Sequence, residues 1–403
     1  MFPHLPLSVI HRYIRVDHSK NLYLLYILRV INDLVAKLAL FFVPIFLFTQ
    51  VQEVVWLNQF GLSYLQKGIL ALALYYGIER LMVLVLAIPA YKIMQRVGFR
   101  ASLAFGQVGY VLLLFFLQLS TQHFWLAFVA AAISGLGINF FWNSYNILMC
   151  RNMRKSHTGS DLGMLSVLLQ LVAVVVPAVG GVIGLLFGFS RLFSVSFIFS
   201  LAAFLVIAAL EVQPVWGSDN LAKIKTSWRQ ISRIALGLSG KMITDLSLLI
   251  WPVYIWISIG DIRKVGYIQS MGLLVALVIA IATGMYIDRH KRPITFIFSG
   301  LGIATVWIGR MFVFGFWSIA FVDTIDKLLG NAHWLQFDAR MFSYSKGNDA
   351  PAYFVLRELI ISAVSLLFWI SLVVLALLGF NWHYLFLGAS IAVLFTILLP
   401  FNH

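Results

Sequence analysis

Cysteine is almost absent from this chain; Cys150 is the single one. An intrachain disulfide is therefore excluded, and cysteine usage carries no information on redox compartment. Charge is scarce as well. Charged residues make up 11% of the sequence, against about 25% in a typical soluble domain. Negative charge is the scarcest, with 15 acidic residues against 29 basic ones. A soluble chain needs more polar surface than this to face water. No His/Cys metal spacing, glycine-rich phosphate loop or Ser-His-Asp arrangement stands out, and the nine histidines are scattered. These absences argue against an enzyme, and neither a cofactor nor a metal is expected.

Apolar length is abundant. Hydrophobic residues make up 61% of the chain, and the mean hydropathy is +0.93. A run of about 20 apolar residues crosses a bilayer as a helix. Twelve such segments stand out, at roughly 22–48, 68–93, 101–119, 124–149, 162–187, 190–210, 236–258, 266–287, 294–314, 317–341, 351–379 and 382–400. Backbone groups in lipid must be satisfied within their own segment, so each is predicted to be helical. The expected fold class is all-α integral membrane, with twelve transmembrane helices in two six-helix bundles. Residues 211–235 form the longest polar connection and carry Lys223, Lys225, Arg229 and Arg233. They are expected to be a cytoplasmic linker between an N-terminal bundle, 1–210, and a C-terminal bundle, 236–403. Arg12, Arg15 and Lys20 precede a first segment too long for a signal-peptide core, so an uncleaved first helix is expected.

The net charge of +14 follows topology. Placing the N-terminus in the cytoplasm collects most basic residues on that side. Lys67, Arg191, Arg263, Lys264 and Arg310 fall on the outer side. A nucleic-acid partner is not expected. The expected location is the cytoplasmic (plasma) membrane, with both termini cytoplasmic. The compact loops suggest a bacterial inner membrane and a monomer whose surroundings are the lipid bilayer.

The remaining charges lie within the apolar segments: Arg29, Lys37, Arg80, Lys241, Lys327 and Arg357, with Asp33, Glu79, Asp245, Asp323, Asp326 and Glu358. Each costs about 2.5–3.5 kcal/mol at the centre of a lipid-facing helix. They must therefore pair, reach an interface or face internal water. Arg29, Asp33 and Lys37 are four residues apart and share one helical stripe, with Asn32 beside it. Asp323, Lys327 and Asn331 repeat that spacing on the tenth segment, flanked by Asp326, His333 and Trp334. Lys241 and Asp245 repeat it on the seventh. The fourth carries Asn139, Asn143 and Asn146, with Trp142. Polar stripes thus mark every third segment, which is expected to face inward and line a solute cavity. Glu79 and Arg80 on the second segment join Asp33 as candidates for proton coupling, because a neighbouring cation that moves shifts a buried carboxylate's proton affinity.

An internal echo accompanies this pattern. "FWNSYNILM" (141–149) resembles "HWLQFDARM" (333–341), pairing Trp142 with Trp334 and Met149 with Met341. "NDL" near Asp33 echoes "TDL" near Asp245.

Twelve spans, a central basic loop and inward-facing spans 1, 4, 7 and 10 resemble the major facilitator superfamily. That family carries a G-x-x-x-D-R-x-G-x-R-R/K signature after its second span, repeated more loosely after the eighth. In "GMYIDRHKR", Gly284, Asp288, Arg289 and Arg292 match, while Lys291 replaces the second glycine. In "YKIMQRVGFRA", Arg96, Gly98 and Arg100 match, but Tyr91 and Gln95 replace the first glycine and the aspartate. The resemblance implies a charged cytoplasmic gate at these residues. "VVPAVGG" resembles part of the antiporter signature through Pro177, Gly180 and Gly181. Ala131 stands near the place where drug/proton antiporters carry an arginine, which counts against that subgroup.

The function expected is secondary active transport of a small polar solute, zwitterionic or anionic, by alternating access with proton coupling. Two other classes compete: a non-transporting receptor or assembly factor with a transporter-like fold, and a membrane-embedded transferase.

Overall fold

A computed structural model describes residues 20–153, 158–211, 228–287, 294–344 and 350–399. The described residues form helices and contain no strand. The α-helices are α1 (Lys20–Leu38), α2 (Val43–Gln50), α3 (Tyr64–Val97), α4 (Phe99–Ser120), α5 (Leu126–Asn152), α6 (Thr158–Ala209), α7 (Trp228–Ile259), α8 (Ile262–Ile287), α9 (Ile294–Gly309), α10 (Phe316–Tyr344), α11 (Ala350–Gly379) and α12 (Trp382–Ile397).

Local chemistry sets the ends of these helices. The first apolar segment is split: a 3-10 turn at Leu40–Phe42 separates α1 from α2, and Pro44 sits in the first turn of α2, where no backbone donor is needed. Ser63 and Gln66 form a reciprocal capping box at the start of α3. Segments 162–187 and 190–210 correspond to the two parts of α6, helices that meet at Gly188. Its 52 residues would span about 78 Å if straight, more than twice a 30 Å hydrocarbon core. The backbone breaks helical geometry at Gly188, where φ is +76° and a side chain would be strained. Helix α7 begins at Trp228, inside the stretch read as a polar linker.

The outer surface is apolar. Leu186, Phe298, Leu205 and Leu378 are all more than 60% exposed, which suits acyl chains and not water. By length and composition, eight helices of the described residues are able to cross a membrane.

Close helix approach depends on small residues. A Cβ on Gly109 of α4 would lie 2.7 Å from the Gly137 Cα of α5. Helices α1, α3, α4, α5 and α6 pack among themselves, as do α7 to α12. The two principal seams joining these sets are α3 against α11 and α6 against α8, with smaller contacts of α2 on α7 and α5 on α11. At the first, Tyr76 stacks on Trp369 at 5.0 Å, and Gln66 Nε2 donates to the Ala376 carbonyl at 2.9 Å. At the second, Ala178 N donates to Ser270 Oγ at 3.1 Å, and Gly266 abuts the Pro177 carbonyl. The Pro177–Gly181 motif is thus part of a helix seam.

Candidate functional site

Helix α1 carries a polar stripe of half-buried side chains, Arg29, Asp33 and Lys37. Arg29 extends to α5 and places its guanidinium 4.3 Å over the Trp142 ring. The Trp142 indole donates to the Tyr110 hydroxyl of α4 at 2.6 Å. Lys37 lies within electrostatic reach of Asp33, Arg29 and, across the molecule on α10, Lys327. Asp33 forms no hydrogen bond or close ion pair among the described residues, and Lys37 is a cation within its electrostatic reach. Asn32 is buried and donates back to the Leu28 carbonyl at 3.0 Å.

Helix α3 supplies the second acid. Glu79 is 7% exposed, accepts from Ser134 Oγ of α5 at 2.7 Å and faces Arg80 Nε at 3.5 Å. Gly135 makes this approach possible, since a Cβ there would lie 2.5 Å from the Glu79 carbonyl. One turn further along, Asn139 Nδ2 donates to the Val83 carbonyl at 3.0 Å. The polar groups Glu79, Ser134 and Asn139 therefore lock α3 to α5. Asn143 is buried and Asn146 half-buried on the same helix.

The second half holds a denser cluster. Arg310, which the sequence places among the outer cations, is completely buried. Its Nη2 lies 3.0 Å from the Asp326 carboxylate and 3.9 Å from that of Asp323. Its guanidinium lies between two indoles, 4.5 Å from Trp251 and 3.9 Å from Trp307. Asp323 is also approached by Lys327 Nζ at 3.8 Å and accepts from Trp251 Nε1 at 3.2 Å. Gly272 of α8 leaves room for the carboxylate: a Cβ there would lie 3.0 Å from Asp323 Oδ2. A lone buried guanidinium is costly, so two acids, two π faces and the Lys327 counter-charge belong to one unit. Arg310, Trp251 and Trp307 were missed by sequence reasoning. The available signals were Arg310 one helical turn after Trp307, and the neighbouring Asp323 and Asp326 against Lys327 alone.

Lys241 bonds Asp245 at 2.9 Å and stands 4.6 Å over the Trp334 ring. Asp338 and Arg357 are within electrostatic reach of it. His333 is enclosed elsewhere. It is fully buried, stacks on Phe296 at 4.3 Å, and bonds Ser299 Oγ, the Phe296 carbonyl and Thr396 Oγ1. Its contacts tie α9, α10 and α12 together, which is a packing arrangement. Asn331 is half-buried.

Of the gate residues, Gly98 (φ +85°) makes the α3–α4 turn and Arg96 is exposed. Arg100 Nη2 donates to the Ala208 carbonyl of α6. Gly284 lies in α8, and Asp288, Arg289 and Arg292 lie outside the described residues. Among the described residues, no group of three His, Cys, Asp or Glu is placed to hold a metal.

These features define a polytopic helical protein with ionised side chains turned inward. A sequence profile described as Major Facilitator Superfamily matches residues 25–324. The chain belongs to the major facilitator superfamily. Solved structures share its fold over nearly the whole length. A POT family transporter in complex with 5-aminolevulinic acid is 12% identical, with TM-score 0.68 over 95% of this chain and 96% of that one. The POT family transporter PepTSo is 10% identical, with TM-score 0.73 over 95% and 97%. The transporter FucP in its outward conformation is 12% identical, with TM-score 0.60 over 96% and 99%. No curated protein sequence matches the chain. Family and fold are those of secondary transporters.

Proposed function

We propose that the protein moves a small polar solute across the cytoplasmic membrane by alternating access, driven by protons. Twelve spans in two six-helix bundles, 1–210 and 236–403 joined through 211–235, would rock about a midplane site. The feature that supports this reading is that Lys37 on α1 and Lys327 on α10, cations of opposite halves, lie within electrostatic reach of each other. Two cations from opposite halves have little reason to converge in an apolar interior unless a water-filled chamber or an anion lies between them.

The charges around that chamber favour an anionic or zwitterionic solute. Arg29, Lys37, Arg310 and Lys327 face Asp33, Asp323 and Asp326, which leaves one positive charge uncompensated. Trp142, Trp334, Asn139, Asn143, Asn146 and Asn331 supply stacking and hydrogen-bonding groups nearby. Asp33 is the leading proton carrier, because it forms no close ion pair among the described residues while Arg29 and Lys37 flank it on the same stripe. Glu79 with Arg80 is the second. Both termini would lie in the cytoplasm, with Arg96, Gly98, Arg100 and the Gly284–Arg292 segment at the inner gate.

The test is flux in proteoliposomes under an imposed pH gradient, with solutes chosen by thermal shift of the purified chain. The unaltered chain should accumulate a solute against its gradient. Asp33→Asn should lose accumulation and keep exchange of preloaded solute. Uphill uptake that persists in Asp33→Asn would refute the coupling role.

A further inference from the structure

A cavity of about 550 Å³ lies apart from the charged stripes, between the end of α2, the turns that follow it, the start of α3 and the start of α5. Its lining is divided by chemistry. Glu53, Lys67, Gln50 and Gln122 are its polar and charged members. Leu70, Leu74, Phe128 and Val373 are among its apolar members. Lys67 and Leu74 are on one helix, seven residues or about 10 Å apart along its axis. The cavity therefore runs from a charged mouth at the first turn of α3 to an apolar floor about two turns deeper. Leu74 is 50% exposed on the lipid-facing surface, so the floor opens sideways to acyl chains. Trp125 is 62% exposed beside the mouth, the level at which indoles favour a membrane–water boundary.

The two charges at the mouth do not neutralise each other. Glu53 Oε2 accepts from the Gln50 amide at 2.6 Å, and Lys67 Nζ donates to Asn58 Oδ1 at 2.5 Å. Each ion is met by a neutral amide, and among the described residues they form no ion pair together. A ligand that brings a cation and an anion on one head, with an apolar tail below, satisfies both charges and fills the floor.

We propose that this cavity binds an aminophospholipid of the adjoining leaflet, a phosphoethanolamine headgroup on acyl chains. Lys67 holds the phosphate and Glu53 the primary ammonium, which donates up to three hydrogen bonds as a lysine head does. One acyl chain lies along Leu70 and Leu74. A choline headgroup lacks those donors, and a glycerol headgroup lacks the cation. Partly exposed ion pairs of this kind discriminate about two- to fivefold.

The experiment uses the full chain in nanodiscs containing brominated phosphatidylethanolamine, phosphatidylcholine or phosphatidylglycerol of matched acyl composition. Trp125 quenching is obtained as the difference from Trp125→Phe. Phosphatidylethanolamine should half-saturate quenching at a two- to fivefold lower mole fraction than the other two. Glu53→Gln should bring it level with phosphatidylglycerol. Lys67→Gln should weaken both phosphatidylethanolamine and phosphatidylglycerol. Equal quenching by all three lipids, a preference for phosphatidylglycerol, or selectivity that survives Glu53→Gln would overturn the assignment. The headgroup series on the unaltered chain decides the matter independently of either variant.

Discussion

The guanidinium of Arg29 lies 4.3 Å over the ring of Trp142, and in the second half the ammonium of Lys241 lies 4.6 Å over the ring of Trp334. Each cation is followed four residues later by an aspartate, Asp33 or Asp245. One motif, a cation and acid on one helix facing an indole on another, therefore occurs twice. The Lys241 copy closes its own ion pair at 2.9 Å, whereas Asp33 forms no such pair among the described residues. The halves share this arrangement and differ in whether the acid closes an ion pair with its own cation.

That difference has an energetic consequence. A double-mutant cycle of Arg29→Gln with Trp142→Leu should give a coupling of about 1–2 kcal/mol, the range of a desolvated cation–π contact. It is measured as unfolding in detergent. Additive effects would mean the stacking contributes nothing.

Arg310 is the keystone of the second half. Arg310→Met leaves Asp323 and Asp326 buried against a single lysine and should lower stability by about 3–5 kcal/mol. Arg310→Lys should recover only part of this, because an ammonium lacks the planar face that lies between Trp251 and Trp307. Thermal unfolding of the purified variants checks both. A full rescue by lysine would show that charge alone matters.

Asp261 governs the turn between α7 and α8. Its Oδ1 accepts from Arg263 N at 2.9 Å, an N-cap for α8, and Oδ2 meets Arg263 Nη2 at 2.9 Å. The Arg263 hydrogen bond holds this carboxyl below the usual range. Its contribution is thus complete above the ordinary carboxylate value, about pH 4, and disappears as pH falls through the lower folded value. Asp261→Ala should cost about 1 kcal/mol near neutral pH. Asp261→Asn should keep most of the cap and flatten this part of the acid response. An acid profile unchanged in Asp261→Asn would contradict the assignment.

The seam between α6 and α8 tolerates no side chain at Gly266, where a Cβ would meet the Pro177 carbonyl. Neither backbone yields easily, so Gly266→Val should destabilise by about 1–3 kcal/mol. Gly388→Ala meets nothing within 4 Å and serves as the control. Equal melting temperatures for the two variants would refute the close approach.

Much of the helical layout was legible because lipid forces polar backbone into helices and leaves long apolar runs. The i, i+4 stripes at Arg29/Asp33/Lys37 and Asp323/Lys327 were legible for the same reason: each charge is conspicuous against an apolar background. Arg310 was misplaced because a position at a helix end looks like an interface, and sequence spacing does not record which partners fold over it. His333 stood out as a polar residue on a striped helix. Its burial depends on Phe296 and Thr396, distant in sequence and joined to it only by folding. The break at Gly188 is a backbone angle, which apolar composition does not report.

Lys37 and Lys327 are proposed to face one water-filled chamber. In a Cys150→Ser background, single cysteines at these positions are exposed to a small charged thiol reagent, with Phe321→Cys on the lipid-facing side of α10 as reference. Positions 37 and 327 should label rapidly and protect one another against a second, bulky reagent in the double variant, while position 321 should stay inert. Labelling at 321 with none at 37 or 327 would mean those stripes face a dry interior, and the transport account would fail.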